Sequence, residues 1–320
     1  MIDDPLERVV VLSVRKSFWA SKEAERFSRR LYTPSLLGRP SWSLLNSGVL
    51  AVRGLFAVWR RPPGLILIGS AHGLVPWFVT LRRLRLLRGA KLAITNQKGL
   101  SDDRVPLVDA IIEYSTREID ARPPGVRERC VFLPLPADGD FAAVAPVTDG
   151  GYVFSGGGGQ RDFPALIEAA RGLDVPVRFV TFSPEFLEWE GDLPQNCDVR
   201  WQMPLPEFLD AVAGATLVVV PLRRGSYSHG HTTVAQALRL GKAVVTTRDA
   251  SIEDYVEDGR EGLLVEPGDA DGYRAAIRRL LDDHELRGSC ERAARARAED
   301  FTYEAFAERL AALCLALLAA

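Results

Sequence analysis

The chain has 320 residues, 47% of them hydrophobic and 26% charged, and a net charge of −2 at pH 7. This composition is that of a globular protein with a buried core, in one large domain or two ordinary ones. Its four cysteines lie far apart, which argues against a zinc ribbon or a disulfide scaffold. The N-terminus has no apolar stretch typical of a signal peptide, and the apolar run 310–320 is too short to span a bilayer. We therefore expect a cytoplasmic protein.

The charge is divided unequally between the two halves of the chain. Residues 1–150 carry a net charge of +7 and residues 151–320 a net charge of −9. In the basic half, arginines alternate with Trp, Phe and Leu, as in VPWFVTLRRLRLLRGAK. Such helices suit an anionic membrane surface, although the apolar residues could instead pack in the core while the arginines stay solvated. We expect a membrane or lipid-phosphate partner on the cytoplasmic face and, because no nucleic-acid-binding module is evident, no nucleic acid.

Strand-like apolar runs alternate with helical patterns from the N-terminus onward, which predicts parallel α/β layers. The strands predicted in the first half are Val9–Val14, Leu65–Ile68, Lys91–Thr95, Ala110–Glu113 and Val131–Pro134. The helices predicted between them are Lys22–Leu31, Gly48–Arg60 and Val75–Arg88. A turn-rich stretch, AAVAPVTDGG over 142–151, predicts a linker.

The same alternation restarts after the linker. The predicted strands are Tyr152–Ser155, Val177–Phe182, Val199–Gln202, Thr216–Val220, Ala243–Thr246 and Leu263–Val265, and three helices near 270–282, 284–298 and 302–318 close the chain. The predicted fold is α/β, with two Rossmann-like doubly wound domains facing a cleft. We place the first domain at 1–145 and the second at 151–300, and expect a final helix at 301–320 that packs back on the first domain.

Two loops of the second half follow strands and lead into helices, where ligands of open α/β sheets bind. The first contains four glycines, Gly156 to Gly159, and then Arg161 at the start of a helix. The second, RRGSYSHGHTT, brings Thr232 and Thr233 to the start of another helix. Glycines allow close backbone approach, and a helix N-terminus offers free N–H groups to an anion. Together the two loops predict a diphosphate site, although a Gly-rich turn can also be a turn without a ligand.

A metal site is the alternative for the second loop, because His229 and His231 form a His-x-His pair. A catalytic zinc needs a third protein ligand, and no spacing in the chain points to one. Asp138-Gly139-Asp140 has the form of a metal-binding DxD, but its place after LPLPA favours a loop tip. We therefore predict phosphate binding and no metal.

The segment from Gly151 to about Asp283 resembles the donor domain of GT-B glycosyltransferases, in the retaining family-four or group 1 branch. The resemblance lies in VFSGGGGQRDFPALIEAA, HTTVAQALRLGKAVVTT and DYVEDGREGLLVEPGDADGYRAAIRRLLDD. It implies a nucleoside-diphosphate sugar, most readily a UDP-sugar, bound as a substrate with no further cofactor. It also implies a hydroxyl acceptor, on a glycan, a lipid-linked glycan or a natural product, at the first domain.

Carried over residue by residue, the resemblance makes Arg161 a clamp on the diphosphate. The arginine that usually follows the first glycine is here Gly157, and the family's Glu-x7-Glu pair falls on Ser228 and Gln236. His72, in an HG pair after a strand, corresponds to a histidine near the sugar. The catalytic residues implied are His72, Arg161 and His229. The donor-binding residues implied are Gly156, Gly157, Arg161, Ser228, Gly230, His231, Thr232, Thr233 and Gln236.

Retaining members of this branch use neither a metal nor a protein nucleophile, and the leaving diphosphate is stabilised by a helix N-terminus and basic side chains. Because both glutamates are absent, a non-catalytic subunit that binds a nucleotide sugar is one alternative. Others are an inverting transferase with His72 or an acid as the base, and a nucleotide-sugar enzyme of other chemistry, such as an epimerase.

Overall fold

The computed structural model describes residues 4–13, 31–32, 52, 56, 59, 63–69, 74–95, 105–225 and 229–320. The chain divides into two compact units. Unit 1 comprises residues 1–134 together with 303–320, and unit 2 comprises residues 135–302. Each unit is built on its own six-stranded parallel sheet. The predicted α/β class with two parallel-sheet units is confirmed.

The sheet of unit 1 has the order β2-β1-β3-β4-β5-β6. Its central strands are buried on both faces, which explains why they are continuous apolar runs in the sequence. Phe78 and Val79 of helix α1 pack on this sheet. The strands are β1 (Val9–Ser13), β2 (Leu31–Tyr32), β3 (Leu65–Gly69), β4 (Lys91–Thr95), β5 (Ala110–Glu113) and β6 (Cys130–Phe132), and the helices are α1 (Val75–Arg83), α2 (Thr116–Asp120) and α3 (Pro124–Arg127).

Strand β2 was not predicted, because Leu31 was assigned to the end of a helix over Lys22–Leu31. In the structure Leu31 and Tyr32 pair in parallel with Val11 and Leu12 of β1. The remainder of that helix, 22–30, lies outside the described residues.

The C-terminal helix α11 (Tyr303–Ala319) belongs to unit 1. Its Leu318 side chain lies over Gly64, just before β3, so closely that a Cβ atom on Gly64 would come within 2.4 Å of Leu318 Cδ2. The apolar run at the end of the chain is therefore part of the packing of unit 1. Within the described ranges, no helix has the length and apolar character needed to cross a bilayer.

The division between the units falls after Pro134, earlier than the predicted boundaries at 145 and 151. The stretch expected to be a linker is held to unit 2 by hydrogen bonds along its length. Ala145 N donates to Asp210 Oδ1 at 2.8 Å, and Thr148 N donates to Ala213 O at 3.0 Å; just before the stretch, Ala137 N donates to Phe301 O at 2.9 Å. The buried Lys242 ammonium also donates to Thr148 O, at 2.7 Å. Because its backbone groups are paired in this way, the stretch 135–150 is part of unit 2.

The sheet of unit 2 has the order β12-β11-β10-β7-β8-β9, so the strand order reverses between β7 and β10. Alternate residues of β10 face opposite cores: Val218 and Val220 pack with α7, and Leu217 and Val219 pack with α4 and α9. The strands are β7 (Val153–Gly156), β8 (Val177–Thr181), β9 (Cys197–Trp201), β10 (Leu217–Val220), β11 (Val244–Thr247) and β12 (Gly262–Val265). The helices are α4 (Phe163–Ala170), α5 (Pro184–Leu187), α6 (Leu205–Ala213), α7 (His231–Arg239), α8 (Ala250–Glu253), α9 (Ala270–Asp282) and α10 (His284–Arg297).

His231, at the start of α7, is a core residue of unit 2. Its ring packs edge-on against Tyr255, with centroids 4.6 Å apart, and its Nε2 donates to Ser251 O at 2.8 Å. Within the described part of the chain, no group hydrogen-bonds to its buried Nδ1. Burial lowers the pKa of His231 to about 4, because a charged imidazolium would lose its hydration there.

We expect this histidine to make folding sensitive to mild acid. Because its pKa is lower in the folded chain than in the unfolded one, the unfolded chain binds more protons between about pH 6.5 and pH 4. The free energy of unfolding should therefore fall by about 2 kcal/mol from pH 7 to pH 5 on account of His231 alone. His231→Gln should remove that part of the decrease, measured by urea unfolding at both pH values.

Tyr255→Phe is the matched control, because it removes the hydroxyl that accepts a hydrogen bond from Leu135 N but leaves the imidazole in place. It should lower stability at both pH values and keep the pH dependence. An unchanged pH dependence in His231→Gln would contradict the assignment of a buried neutral imidazole.

Candidate functional site

The reversal of strand order in unit 2 lies between two neighbouring parallel strands, β7 and β10. Their carboxyl ends therefore meet at one edge of the sheet, where the chain continues into residues 157–162 and 221–225. In open α/β sheets this is where ligands bind, because the loops diverge there and leave a crevice. Both predicted phosphate loops lie at this edge.

The two loops are held together by backbone hydrogen bonds. Asp162 N donates to Pro221 O at 3.0 Å, and Arg223 N donates to Gln160 O at 3.1 Å. Arg161 and Leu222 form an antiparallel bridge between these bonds. Asp162 then caps helix α4 by accepting from Ala165 N. This pairing fixes the position of Arg161 relative to both strands.

Thr247, at the end of β11, anchors the second loop from the other side. Its hydroxyl lies 2.9 Å from Leu222 O and 2.6 Å from the hydroxyl of the buried Tyr273 on α9. Burial raises the pKa of the Tyr273 phenol, so this group stays a neutral hydrogen-bonding partner. Neither Thr247 nor Tyr273 was predicted to be part of the site. The feature of the sequence that could have identified Thr247 is a hydroxyl side chain at the end of a strand.

The guanidinium of Arg161 is the central charge at this edge, and the side chain is only 5% exposed. Its Nε donates to Gly156 O at 3.2 Å, and its terminal nitrogens donate to Gly159 O at 3.4 Å and to Thr233 Oγ1 at 3.1 Å. Burial lowers its pKa to about 10, so it stays charged at neutral pH. No carboxylate among the described residues forms an ion pair with it. A buried cation with only neutral partners favours an anionic ligand.

Gly157 leaves room for this guanidinium. Its φ is +117°, a conformation that favours glycine, and a Cβ atom there would lie 2.5 Å from a terminal nitrogen of Arg161. A side chain at 157 would therefore collide with the Arg161 guanidinium.

The N-terminus of α7 faces the same region through Thr233. Gly230 precedes the helix with a φ of +82°, and a Cβ atom there would lie 2.8 Å from Leu222 Cδ2. No side chain of the described residues caps the helix, and its first turn contains no acidic residue. The first N–H groups of α7 lie at the positive end of the helix dipole, which favours an anion there.

The remaining predicted residues have diverse environments. Gly156 ends β7, Thr232 and His229 are half-buried, and the Thr233 hydroxyl accepts from Arg161. The His231 side chain points to Ser251 O in the core, so only its backbone N–H is available to a ligand. The expected catalytic residue His72 and the expected donor contact Ser228 lie outside the described residues.

Gln236 is buried and contacts the chain's own backbone. Its amide nitrogen donates to Asp138 O at 2.8 Å, although Gln236 was predicted to bind the sugar donor. The acceptor belongs to the Asp138-Gly139-Asp140 turn, in which Gly139 has a φ of +134° and Asp140 Oδ1 accepts from Ala142 N. The DxD sequence is therefore a turn in unit 2. Among the described residues, no three His, Cys, Asp or Glu side chains are grouped to hold a metal ion.

Curated proteins similar to this chain are D-inositol 3-phosphate glycosyltransferases, and the matches cover about a third of the chain or less. It is 33% identical over 115 residues to a D-inositol 3-phosphate glycosyltransferase of Corynebacterium jeikeium (strain K411), a match covering 35% of this chain and 26% of that protein. It is 35% identical over 100 residues to a D-inositol 3-phosphate glycosyltransferase of Arthrobacter sp. (strain FB24), covering 31% and 23%. The match thus spans about a quarter of the length of these relatives.

Solved structures similar to this chain extend over both units. Sucrose-phosphate synthase from Thermosynechococcus elongatus superposes with a TM-score of 0.69 at 17% identity, covering 91% of this chain and 84% of that one. HepE of Anabaena, solved in complex with UDP and glucose, superposes with a TM-score of 0.68 at 14% identity, covering 97% and 93%. At these identities the likeness establishes the fold, which is that of GT-B glycosyltransferases.

The family comparison falls on the segment that contains the site. The model described as "Glycosyl transferases group 1" matches residues 157–283, from the glycine loop through Arg161 and α7 to the end of α9. The resemblance seen in the sequence motifs is thereby confirmed for this segment. Residues 157–283 thus match the glycosyl transferases group 1 family model, in a chain whose two-unit α/β fold is that of GT-B glycosyltransferases.

Proposed function

We propose that the protein is a glycosyltransferase that moves a sugar from a nucleoside-diphosphate sugar, most readily a UDP-sugar, to a hydroxyl acceptor. The observation that carries the proposal is the buried Arg161 guanidinium, which has no carboxylate partner among the described residues. It donates to Thr233 at the N-terminus of α7, which no described side chain caps. This arrangement suits a diphosphate. The group 1 match over 157–283 and the UDP in the HepE structure support the same donor class.

The chemistry follows from where charge develops. As the bond between the anomeric carbon and the diphosphate oxygen breaks, negative charge grows on the leaving diphosphate. Arg161 and the first N–H groups of α7 are already oriented toward an anion, and such preorganised donors stabilise the transition state. The acceptor oxygen forms the new bond to the anomeric carbon, and its proton passes to the diphosphate. We propose that the reaction is metal-independent and retains the anomeric configuration, with His72 and His229 on the sugar side.

One observation favours a second candidate, a subunit that binds the nucleotide sugar without transferring it. Ser228 and Gln236 stand at the two glutamate positions that the resemblance implies. The Gln236 amide nitrogen already donates one of its two hydrogens to Asp138 O, so the amide is held by the chain's own backbone. Turnover by the purified chain distinguishes the two candidates.

Arg161→Met should weaken binding of UDP and of pyrophosphate roughly tenfold to a hundredfold, because charge-assisted hydrogen bonds to the diphosphate are lost. Isothermal titration measures both ligands, and circular dichroism establishes that the variant is folded. Arg171→Met is the control: this exposed arginine of the same unit pairs with Glu168, and its loss should not change the affinity. The donor site is elsewhere if neither UDP nor GDP binds the unmodified chain at millimolar concentration. It is also elsewhere if Arg161→Met binds UDP with the same affinity as the unmodified chain.

With a UDP-sugar and a hydroxyl acceptor, the product should keep the anomeric configuration of the donor, and EDTA should not reduce the rate. Proton NMR of the new glycosidic linkage reports the configuration directly. An inverted product would favour a base-catalysed single displacement, and tight donor binding without any transfer or donor hydrolysis would favour the binding subunit.

We also propose that unit 1 meets an anionic membrane surface on the cytoplasmic face, where a lipid-linked acceptor would lie. Trp77 of α1 is 64% exposed and Leu84, which ends that helix, is 61% exposed. Trp59 is exposed as well, and the Arg88 guanidinium lies over its ring. Exposed arginines follow at 83, 85 and 88, and no acidic residue occurs among those described from 52 to 95. Apolar anchors beside uncompensated cations suit anionic lipid.

The double variant Trp77→Ser/Leu84→Ser should bind phosphatidylserine-containing vesicles roughly tenfold more weakly, since two interfacial anchors are removed. Sedimentation with sucrose-loaded vesicles measures the partitioning, and raising the salt concentration should weaken it further. Leu315→Ser on α11 is the control, an exposed apolar residue of the same unit away from the arginines in sequence. Equal binding to neutral and anionic vesicles, or no binding by the unmodified chain, would contradict the membrane partner.

A further inference from the structure

Two phenylalanines lie exposed at the same sheet edge as Arg161. Strand β8 is the neighbour of β7, so its carboxyl end opens onto the glycine loop. Phe182 follows β8 directly and is 59% exposed, and Phe186 on α5 is 40% exposed. Their ring centroids lie 5.8 Å apart in an edge-to-face arrangement. Neither ring contributes to the contacts of Arg161 described above.

The glycine loop connects Phe182 to the Arg161 site. A Cβ atom on Gly157 would lie 2.5 Å from the Arg161 guanidinium, and a Cβ atom on the next residue, Gly158, would lie 2.5 Å from Phe182 Cε2. Consecutive Cα atoms are about 3.8 Å apart. The cation and the aromatic ring therefore contact successive residues of one loop, which brings them to neighbouring positions.

The loop that carries Phe182 is anchored on both sides. Gly157 N donates to Val180 O, and Gln202 N, after β9, donates to Thr181 O, each at 2.9 Å. Beyond α5, Glu188 forms an ion pair with Arg223 of the loop after β10. The backbone before and after Phe182 is thus anchored, while the residue itself remains 59% exposed.

We infer that Phe182 is a stacking platform for the nucleobase of the donor, with Phe186 supporting it from the side. This inference rests on the proposed donor function. A nucleoside diphosphate has an anionic end and a planar aromatic end, and this edge presents a buried cation and an exposed aromatic ring at adjacent loop residues. Stacking uses the face that every base has, so Phe182 contributes affinity for uracil and guanine nucleotides alike.

The test compares ligands with and without a base. Phe182→Leu should weaken UDP and GDP roughly fivefold to a hundredfold in isothermal titration and leave pyrophosphate unchanged, because only base stacking is lost. Phe182→Tyr should restore the affinity, since it keeps the aromatic face. Phe186→Leu should have a smaller effect than Phe182→Leu. Phe182 is exposed, so these variants keep the buried core intact.

A spectroscopic readout follows from the same geometry. In Phe182→Trp, saturating UDP or GDP should quench the emission of the introduced indole, and pyrophosphate should not. If UDP binds, Arg161→Met weakens it and Phe182→Leu does not, the inference is overturned while the donor site stands. If UDP does not bind the unmodified chain, both are overturned. Equal weakening of UDP and pyrophosphate by Phe182→Leu would assign the ring a structural role and also overturn the inference.

Discussion

The buried guanidinium of Arg161 is the constraint on which the site of unit 2 depends. An arginine removed from water needs several acceptors, and here two backbone carbonyls and one threonine hydroxyl supply them. These acceptors carry no net charge, and no carboxylate of the described residues pairs with the guanidinium at this sheet edge. Glycine at 157 follows from the same requirement, because the guanidinium occupies the space beside it.

The parallel sheet supplies the rigidity that such a charge requires. Thr246 and Thr247 at the end of β11 hydrogen-bond to the carbonyls of Val220 and Leu222, so the loop after β10 is fixed by its neighbouring strand. Tyr273 of α9 adds a contact from the layer of helices. The family match extends to the end of α9, and the structure gives a physical reason for including that helix: it supports the loop opposite Arg161.

The elements that could be predicted from the sequence are those whose environment is uniform. Strands buried on both faces are continuous apolar runs, and β4 and β5 were predicted with the bounds that the structure has. The place of Arg161 at the start of a helix followed from the glycine-rich loop after a strand, whereas the strand order that makes this edge the switch point came from the structure. The directions of the His231 and Gln236 side chains did not follow, because their partners, Ser251 and Asp138, are distant in sequence. Phe182 was predicted as the last residue of a buried strand, whereas β8 ends one residue earlier and leaves its ring exposed.

Helix α11 belongs to unit 1 although it follows unit 2 in the sequence, and this affects the order in which the two units are completed during synthesis. Unit 2 is continuous in sequence, so all its residues are present once Thr302 has left the ribosome. Unit 1 is discontinuous: its first portion is made before unit 2, and the helix that covers Gly64 is made after it. Domains fold as units when their residues become available. Unit 2 can therefore fold before unit 1 is complete, although synthesis of unit 1 starts earlier.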